Sequence, residues 1–400
     1  MIEITQKEHC CGCSACVHIC PKHSISFQED KEGFLYPKVD LETCVDCGLC
    51  EKVCPIINQD PEREPQKVYA AKNDDENIRL KSSSGGVFTL IAEKIIEEGG
   101  VVFGARFNES WEVIHDYTDT IEGLEPFRGS KYVQSAIGES YKQVETFLKA
   151  GRKVMFTGTP CQIAGLRKFL RKDYKNLLTV DFVCHGVPSP LVWRMYLEEE
   201  VARQGDAGKN SVLASPKDAP VLTGVNFRDK SVGWKKYSFV LSFSKASAVG
   251  EQNTVLSSVF TENDYMRAFL SNLSLRPSCF NCSSKAGKSG ADITIGDFWG
   301  IENVLPELDD DRGLSLLMLH SQRGLEHFIS LRCDVAEVNF TDAIKSNSAY
   351  QIPVPMPINR EFFFSCLGHL DFTTSFERSI SSKILYRLKR YCYRKVNGNK

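Results

Sequence analysis

The sequence predicts a multidomain protein of α+β and α/β class, in which a small cysteine-rich domain precedes a larger α/β domain. Two observations predict this fold class. Eight cysteines form two identical runs within residues 10–54, and predicted strands alternate with predicted helices from residue 67 onward. The chain length of 400 residues agrees with two or three domains, and the hydrophobic content of 42% is sufficient for buried cores.

Each cysteine run has the spacing C-x2-C-x2-C-x3-C and ends in a proline. This spacing is typical of bacterial two-cluster ferredoxins, in which the fourth cysteine of each run binds the other 4Fe–4S cluster. Such a short loop brings three thiolates to three corners of one iron–sulfur cube, and the proline stops the chain from continuing as a regular helix. We therefore predict two clusters with exchanged fourth ligands: Cys10, Cys13, Cys16 and Cys54 for the first, and Cys44, Cys47, Cys50 and Cys20 for the second.

Two structural zinc sites are the alternative for these runs, because sets of four cysteines also bind zinc. Two complete copies of the ferredoxin spacing favour iron–sulfur clusters over zinc. Cys11 is out of phase with the repeat, and we interpret it as a bystander thiol.

Composition and charge exclude several functional classes. The 49 Lys and Arg residues balance 51 Asp and Glu residues, so no overall charge attracts the chain to nucleic acid. The segment MIEITQKEHC lacks the apolar stretch of a signal peptide, and no apolar run is long enough to span a membrane. Because the first cysteines follow cluster spacing rather than the spacing of a secreted disulfide scaffold, we expect a cytoplasmic protein without a transmembrane segment.

Changes of composition divide the chain. Residues 1–57 form the two-cluster domain, with a short hairpin predicted from SISF and FLYP around a turn-like QEDKEG. Residues 58–66 are polar, contain two prolines and are predicted to be a linker. The α/β region has two parts, residues 67–150 and residues 151–335. Residues 336–400 form a C-terminal extension.

A strand–helix–strand unit is predicted within residues 153–184. Its strands are KVMFT at 153–157 and LLTVDFVC at 177–184, and a connection of this kind makes them parallel. Cys161 follows the carboxyl end of the first strand, and Cys184 ends the second. If the strands are neighbours, about 4.8 Å apart, the two thiols lie close together. Open α/β sheets bind their ligands at this edge.

Two further cysteines complete a candidate inner site. Cys279 and Cys282 form a C-x2-C pair, and together with Cys161 and Cys184 they make a candidate tetrahedral sulfur site. A zinc ribbon, or buried thiols that pack as small apolar groups, are the alternatives.

The remaining segments are less informative. After Pro188 the pattern changes, and residues 200–222 are predicted to be an irregular insertion. The tail at 378–400 is basic and has apolar residues at helical spacing. It is a candidate for peripheral contact with an anionic membrane surface or a partner, although we favour a docked surface helix.

Six motifs and the C-x2-C pair resemble a known family: KSSSGGVF, FRGSKYVQS, TGTPCQIAGL, DFVCHGVPSP, FRDKSVGW and ADITIGDFWG. Together they are similar, over about residues 67–335, to the family of the coenzyme F-420 hydrogenase/dehydrogenase beta subunit. The resemblance implies an α/β flavin-binding domain of the beta-subunit type that holds FAD. It also implies a third 4Fe–4S cluster beside the flavin, with these ligands: Cys161, Cys184, Cys279 and Cys282.

Eight of the ten flavin candidates lie at two turns. No G-x-G-x-x-G follows a strand, so a standard dinucleotide fingerprint is absent. Free N–H groups at the helix start after residue 82 suit a phosphate or the anionic edge of a reduced flavin. Alternatively, Ser84 is simply an N-cap, and the turn after residue 157 only closes a loop. The candidate cofactor-binding residues are Ser82, Ser83, Ser84, Gly85, Gly86, Lys131, Thr157, Gly158, Thr159 and Asp297.

His185 is the candidate catalytic residue, because it follows Cys184 and is able to relay a proton to flavin or substrate. A hydrogen-bonded structural histidine is the alternative. For Asp297 there are also two alternatives: the carboxylate either caps a backbone turn or forms a hydrogen bond with the flavin ring.

These features predict an iron–sulfur flavoprotein oxidoreductase. Electrons would pass from a donor through 4Fe–4S clusters to FAD and on to an organic hydride acceptor, since clusters carry single electrons and hydride chemistry needs two. The acceptor is expected to be coenzyme F-420 or a small molecule of surface-polysaccharide synthesis, and the redox partner a ferredoxin or a hydrogenase or dehydrogenase subunit. The alternative is a non-catalytic electron-relay subunit of a larger redox complex.

Overall fold

The computed structural model describes residues 1–206, 220–247, 250–329, 331 and 333–397. Within these ranges no helix is both long enough and apolar enough to cross a membrane. The helices are α1 Ala15–Ile19, α2 Leu49–Lys52, α3 Glu76–Lys81, α4 Val87–Glu97, α5 Ser140–Lys149, α6 Pro160–Leu170, α7 Pro190–Asp206, α8 Asp264–Leu270, α9 Gln322–Ile329, α10 Phe340–Lys345, α11 Arg360–Leu367 and α12 Phe372–Asn397. The strands are β1 Ile25–Glu29, β2 Leu35–Val39, β3 Lys67–Lys72, β4 Val101–Phe107, β5 Val113–Thr118, β6 Val154–Thr157, β7 Leu177–Phe182, β8 Val221–Asp229, β9 Ser238–Ser247, β10 Gly250–Val259, β11 Ile293–Asp297, β12 Ser315–Leu319 and β13 Asp334–Glu337.

The cysteine-rich region has an internal repeat. β1 and β2 form the predicted antiparallel hairpin. One short helix follows the first two cysteines of each run, and each helix begins after a residue with a positive φ angle, 69° at Ser14 and 70° at Gly48. The matching backbone turns show that the repeated sequence spacing produces a repeated local structure.

An eight-stranded mixed sheet forms the centre of the molecule, with the strand order β13-β3-β12-β11-β7-β6-β4-β5. β4, β6, β7 and β11 are parallel neighbours, which confirms the predicted strand–helix–strand unit. Neighbouring residues of β4 pack on opposite faces of this sheet: Phe103 packs with α5 and α6, whereas Val102 packs with α4. This alternation is the period of a strand buried on both faces.

A second, antiparallel sheet contains β10, β9 and β8 in this order. Alternate residues of β9 face the core, since Phe239, Leu241 and Phe243 are all buried. The core beneath this sheet also contains Trp193 of α7 and Phe34 from the turn between β1 and β2. The cysteine-rich domain therefore shares a hydrophobic core with the rest of the chain.

Two expectations for the second half have different outcomes. The predicted insertion at 200–222 is wrong at its start, because α7 continues to Asp206, where Arg203 pairs with Glu199 and Glu200 one turn earlier. Residues 207–219 lie outside the described residues. The basic tail belongs to α12, and its side chains from residue 385 onward also lie outside the described part.

Candidate redox site

Two separate cavities in the cysteine-rich domain collect the eight predicted cluster ligands. The fourth cysteine of each run lies with the other run, as the ferredoxin pattern requires. One cavity, the outer front site, is lined by Cys20, Cys44, Cys47 and Cys50. The other, the inner front site, is lined by Cys10, Cys13, Cys16 and Cys54, and Cys11 also borders it.

The front sites have the chemistry that a thiolate-bound cluster needs. The described cysteines are free thiols, without a disulfide among them. Backbone N–H groups donate to sulfur at two positions, from Ile2 to Cys50 and from Ser24 to Cys20, each over 3.3 Å. The Ser24 hydroxyl is buried without a partner in the described structure and lines the outer front cavity. Such donors stabilise sulfur that carries negative charge.

Burial and crowding oppose ionisation of the front thiols in the absence of metal. The pKa of Cys16 is raised, first by burial and then by the neighbouring thiols of Cys10, Cys54 and Cys50. Among the residues that the structure describes, no three His, Cys, Asp or Glu side chains could hold one metal ion. The four thiols instead surround a cavity, and a cube of four irons takes one cysteine at each iron.

The inner site is assembled by the parallel strands and one loop. Cys161 lies in the first turn of α6, directly after β6, and Cys184 follows β7. Cys279 lies in a short 3-10 helix, Pro277–Asn281, and Cys282 follows it. The backbone of this loop is held beside the residues after β7, because Arg276 N–H donates to the Val187 carbonyl over 3.0 Å.

The four inner thiols influence one another. The pKa of Cys184 is raised well above its usual value, mainly by burial and also by Cys279, Cys161 and Cys282. Lys285 opposes this rise, and its ammonium donates to the Cys184 carbonyl. The structure thus places the four cysteines of the candidate inner site close enough for their thiols to act on one another.

The inner front site and the inner site meet at a seam formed by Cys11 and Arg276. The pKa of Cys11 is raised, mainly because its thiol is hydrogen-bonded to that of Cys13, and the thiol also contacts Cys161. Arg276 contacts Cys10 with its side chain. Burial lowers the pKa of Arg276, but the thiols of Cys10, Cys11 and Cys279 and the Tyr36 hydroxyl raise it. Arg276 was missed at the sequence level, although it stands three residues before Cys279.

The serine–glycine segment makes mainly structural contacts. Ser82 Oγ donates to the Ile78 carbonyl, Ser84 Oγ donates to the Leu314 carbonyl, and Gly85 N–H donates to Ser315 Oγ. The alternative interpretation, that Ser84 is the N-cap of α4, is wrong, because Gly86, with a φ of 83°, is the N-cap.

The second predicted flavin turn follows β6. Thr157 Oγ1 donates to the Phe103 carbonyl, and Gly158 N–H donates to the Val180 carbonyl. Thr159 caps α6 in a reciprocal arrangement with Gln162, and its hydroxyl lies 3.2 Å from the Cys161 sulfur. These contacts are those of the turn-closing alternative, and Thr159 belongs to the inner sulfur site.

Arg228 and Asp297 form an ion pair that contacts another of the predicted flavin residues, Ser83. Arg228, which is only 4% exposed, forms a bidentate ion pair with Asp297 at 2.8 and 3.1 Å. The same guanidinium reaches the Ser83 carbonyl and the Tyr132 hydroxyl. Its Nε–H has no partner among the described atoms. The motif FRDKSVGW carried this residue, but sequence reasoning did not assign it a role.

Aromatic rings and a lysine surround this pair. Trp299 is half-buried and stacks on Trp234, with ring centroids 4.8 Å apart, and Trp234 Nε1 donates to Asp297. Lys230 donates to the Ser84 carbonyl at 2.7 Å, and burial lowers its pKa to about 7. The structure does not bring Lys131 into this group: its ammonium donates to the carbonyls of Pro126 and Arg128.

The candidate proton carrier lies beside the inner site. His185 Nε2 is 2.7 Å from Asn272 Oδ1, and its ring makes an edge contact with Phe269. Burial lowers the pKa of His185, so the neutral imidazole dominates at neutral pH. These contacts fit either a structural or a proton-carrying histidine, and the catalytic role stays a prediction.

Three family profiles match the chain along most of its length. Residues 9–56 match the 4Fe-4S dicluster domain. Residues 68–141 match the N-terminal part of the coenzyme F-420 hydrogenase/dehydrogenase beta subunit, and residues 151–339 match its C-terminal part. The chain belongs to this family of beta subunits. The predicted family and the predicted 4Fe–4S ferredoxin domain of this beta-subunit protein are therefore confirmed.

The proteins to which this beta-subunit protein is similar include redox proteins and small ferredoxins. It is 27% identical over 196 residues to a subunit of the F(420)H(2) dehydrogenase of Methanosarcina mazei, covering 46% of this chain and 55% of that one. It is 28% identical over 207 residues to the coenzyme F-420-dependent sulfite reductase of Methanocaldococcus jannaschii, covering 49% and 30%. A 7Fe ferredoxin of Hydrogenibacillus schlegelii is 38% identical over 73 residues, which cover 17% of this chain and 87% of the ferredoxin.

The chain thus spans about half the length of the dehydrogenase polypeptide and a smaller share of the sulfite reductase. Among solved structures, a chain of the F-420-reducing NiFe hydrogenase complex of Methanosarcina barkeri aligns over 84% of this chain and 96% of that chain. The TM-score is 0.42 and the identity is 15%.

Proposed function

We propose that this beta-subunit protein is an iron–sulfur flavoprotein oxidoreductase with three 4Fe–4S clusters and FAD. The observation that supports the proposal is a series of three neighbouring cysteine sites: the outer front site, the inner front site and the inner site. Cys47 of the outer front site is exposed, and the inner front site contacts the inner site through Cys11 and Arg276. Each site therefore has a neighbour toward which a single electron is able to pass.

The donor is proposed to bind at the outer front site. Leu41 and Val45 are 70% and 59% exposed, and Val45 lines the same cavity as Cys47. Exposed apolar groups around an exposed sulfur site suit a transient redox partner, because such contacts are small and exclude water where they form. A ferredoxin or a hydrogenase or dehydrogenase subunit has the chemistry to serve as this partner.

The inner site and the Arg228–Asp297 pair share one edge of the large sheet. Cys184 and Asp297 come from the carboxyl ends of the parallel strands β7 and β11, and Val183 N–H donates to the Ile295 carbonyl over 2.9 Å. Ligands of open α/β sheets bind at this edge. The proposed flavin position is therefore next to the proposed third cluster, where an electron has only a short distance to travel.

Arg228 is the residue we propose to hold the flavin. Its buried Nε–H is unpaired among the described residues, and a buried donor without a partner is unfavourable unless a ligand accepts from it. Asp297 fixes the guanidinium plane, and one terminal nitrogen of Arg228 also donates to the Ser83 carbonyl. FAD, when bound, supplies the conversion between single electrons and a hydride. His185 is proposed to move a proton at this edge.

The proposed acceptor is coenzyme F-420 or another small molecule that accepts a hydride. The second candidate function is an electron-relay subunit of a larger complex. It is favoured by the similarity to a protein that is itself a subunit, that of the F(420)H(2) dehydrogenase. Turnover of F-420 or of a dye-coupled substrate by the isolated chain supports the enzyme, whereas reduced clusters without turnover support the relay subunit.

The flavin site is tested with FAD titrations of the anaerobically reconstituted protein. We expect Arg228→Lys to weaken FAD binding at least tenfold without loss of iron, because lysine lacks the planar fork that Asp297 orients. Arg360→Lys is the matched control, since Arg360 is equally buried and pairs with Glu32 away from this edge. Equal FAD affinity in both variants and the parent would contradict the assignment.

A further inference from the structure

Arg276 is a buried cation at the seam between the two sulfur sites. Its side chain is 1% exposed. Nε donates to the Cys10 carbonyl over 2.7 Å, and one terminal nitrogen donates to the Leu35 carbonyl over 2.9 Å and lies 3.6 Å from the Cys10 sulfur. The other terminal nitrogen donates to Gln134 Oε1 over 3.0 Å. The guanidinium is thus held by hydrogen bonds from all three of its nitrogens and has almost no access to solvent.

The polar partners of Arg276 within the described structure include no carboxylate. The other buried arginines differ, because Arg79 pairs with Asp310, and Arg360 pairs with Glu32. A buried charge without an opposite charge is strongly unfavourable. The guanidinium carbon lies 4.4 Å from the centre of the Tyr36 ring and 5.3 Å from that of Phe34, and these rings compensate part of the charge. The thiols of the two sulfur sites, Cys10, Cys11 and Cys279, are the other groups that favour the charged guanidinium.

The backbone of Arg276 belongs to the inner site, whereas its side chain belongs to the inner front site. Its carbonyl accepts from Cys279 N–H over 2.9 Å. Gly12, between Cys10 and Cys13, makes room for the side chain: its φ is 72°, and a Cβ there would lie 2.8 Å from Arg276 Nη1. A single residue therefore fastens the loop of one sulfur site to the loop of the other.

We propose that Arg276 is a positioning residue that couples the inner front cluster to the inner cluster and makes the inner front cluster the one that hands electrons onward. The proposal rests on the clusters of the proposed function. The fixed positive charge favours the reduced, more negative state of both adjoining clusters over that of the outer front cluster. The transfer it serves moves one electron from the inner front site to the inner site, with no bond formed or broken.

The test is a redox titration of the reconstituted protein followed by electron paramagnetic resonance. In Arg276→Gln we expect the cluster of the inner front site and the cluster of the inner site to become at least tenfold harder to reduce. Their reduction potentials should each fall by about 59 mV or more for one electron. The couple of the outer front site is expected to stay unchanged. Arg276→Lys keeps the charge and should retain most of the parent potential. Cys282→Ser, which lacks the inner cluster, assigns the signals.

Arg194→Gln is the matched control, because Arg194 joins the same two regions through Glu29 but has no sulfur partner among the described residues. Potentials that do not move in Arg276→Gln at full iron content would overturn the proposal, as would an equal shift of the outer front couple. If Arg276→Gln fails to load iron, Arg276→Lys decides instead: potentials close to those of the parent support a role for the fixed charge, and a shift of tenfold or more at full iron content overturns it. A parent protein with only two clusters would refute the proposed function, while the inner front potential would still test Arg276.

Discussion

Gly165 gives the sharpest test of how the α/β domain supports the front clusters. It lies in the interior of α6, where alanine is favoured over glycine by about 1 kcal/mol. A Cβ at this position would lie 2.7 Å from Cys13 Cβ and 2.9 Å from Cys13 Sγ, well inside ordinary contact distance. Overpacking of this kind costs about 1–3 kcal/mol. The helix preference for alanine offsets part of this cost. For Gly165→Ala we therefore expect the free energy of unfolding to fall by up to about 2 kcal/mol.

The displaced atom belongs to a predicted cluster ligand, so iron should be lost together with stability. Gly205→Ala is the matched control, because among the described residues its new Cβ would meet only Pro220 Cδ at 3.8 Å, and this helix should gain up to about 1 kcal/mol. Anaerobic urea unfolding and iron analysis measure both effects. If Gly165→Ala equals Gly205→Ala in stability and holds as much iron as the parent, α6 does not support Cys13 in this way.

Two further predictions concern single buried groups. Cys11→Ala should leave the iron content unchanged, since Cys11 is out of phase with the ligand runs; a loss of one cluster's iron would make it a ligand. Burial raises the pKa of Asp181 from 3.8 to about 6, so its neutral form stabilises the fold below the unfolded pKa, and this contribution is lost as pH rises through about 6. Asp181→Asn should therefore become more stable relative to the parent by about 2 kcal/mol between pH 4 and pH 7, measured by urea unfolding. A pH-independent difference would show that Asp181 ionises normally.

The fold was predictable where the sequence repeats or alternates. The two cysteine runs indicated the front domain, and the apolar run before Cys161 and the run that ends at Cys184 indicated parallel strands. Both patterns are local, so no long-range information was needed. Parallel neighbouring strands end at the same edge of a sheet, so strand pairing alone predicts that Cys161 and Cys184 lie close together. The candidate inner site could therefore be predicted from the sequence.

Contacts between distant segments could not be predicted. Nothing in the sequence shows that Phe34 packs in a core with Trp193, or that Arg276 reaches Cys10. Both contacts depend on how the front domain sits against the larger one. The partnership of Arg228 with Asp297 was hidden for the same reason, although each residue stands in a motif that carries the family resemblance. The spacing of residues in a motif indicates which of them are close along the chain. It does not show which residues, distant in sequence, form an ion pair in the folded protein.

The number of iron atoms bound per chain tests the central claim most directly. After anaerobic reconstitution, we predict about twelve irons for three cubes, falling to about eight in Cys161→Ser while the signals of the two front clusters persist. Cys333→Ser, which changes a cysteine outside the three sites, should retain all of the iron. A parent protein with only enough iron for two cubes, or a Cys161→Ser variant that loses none, would contradict the assignment of a cluster at the edge of the large sheet.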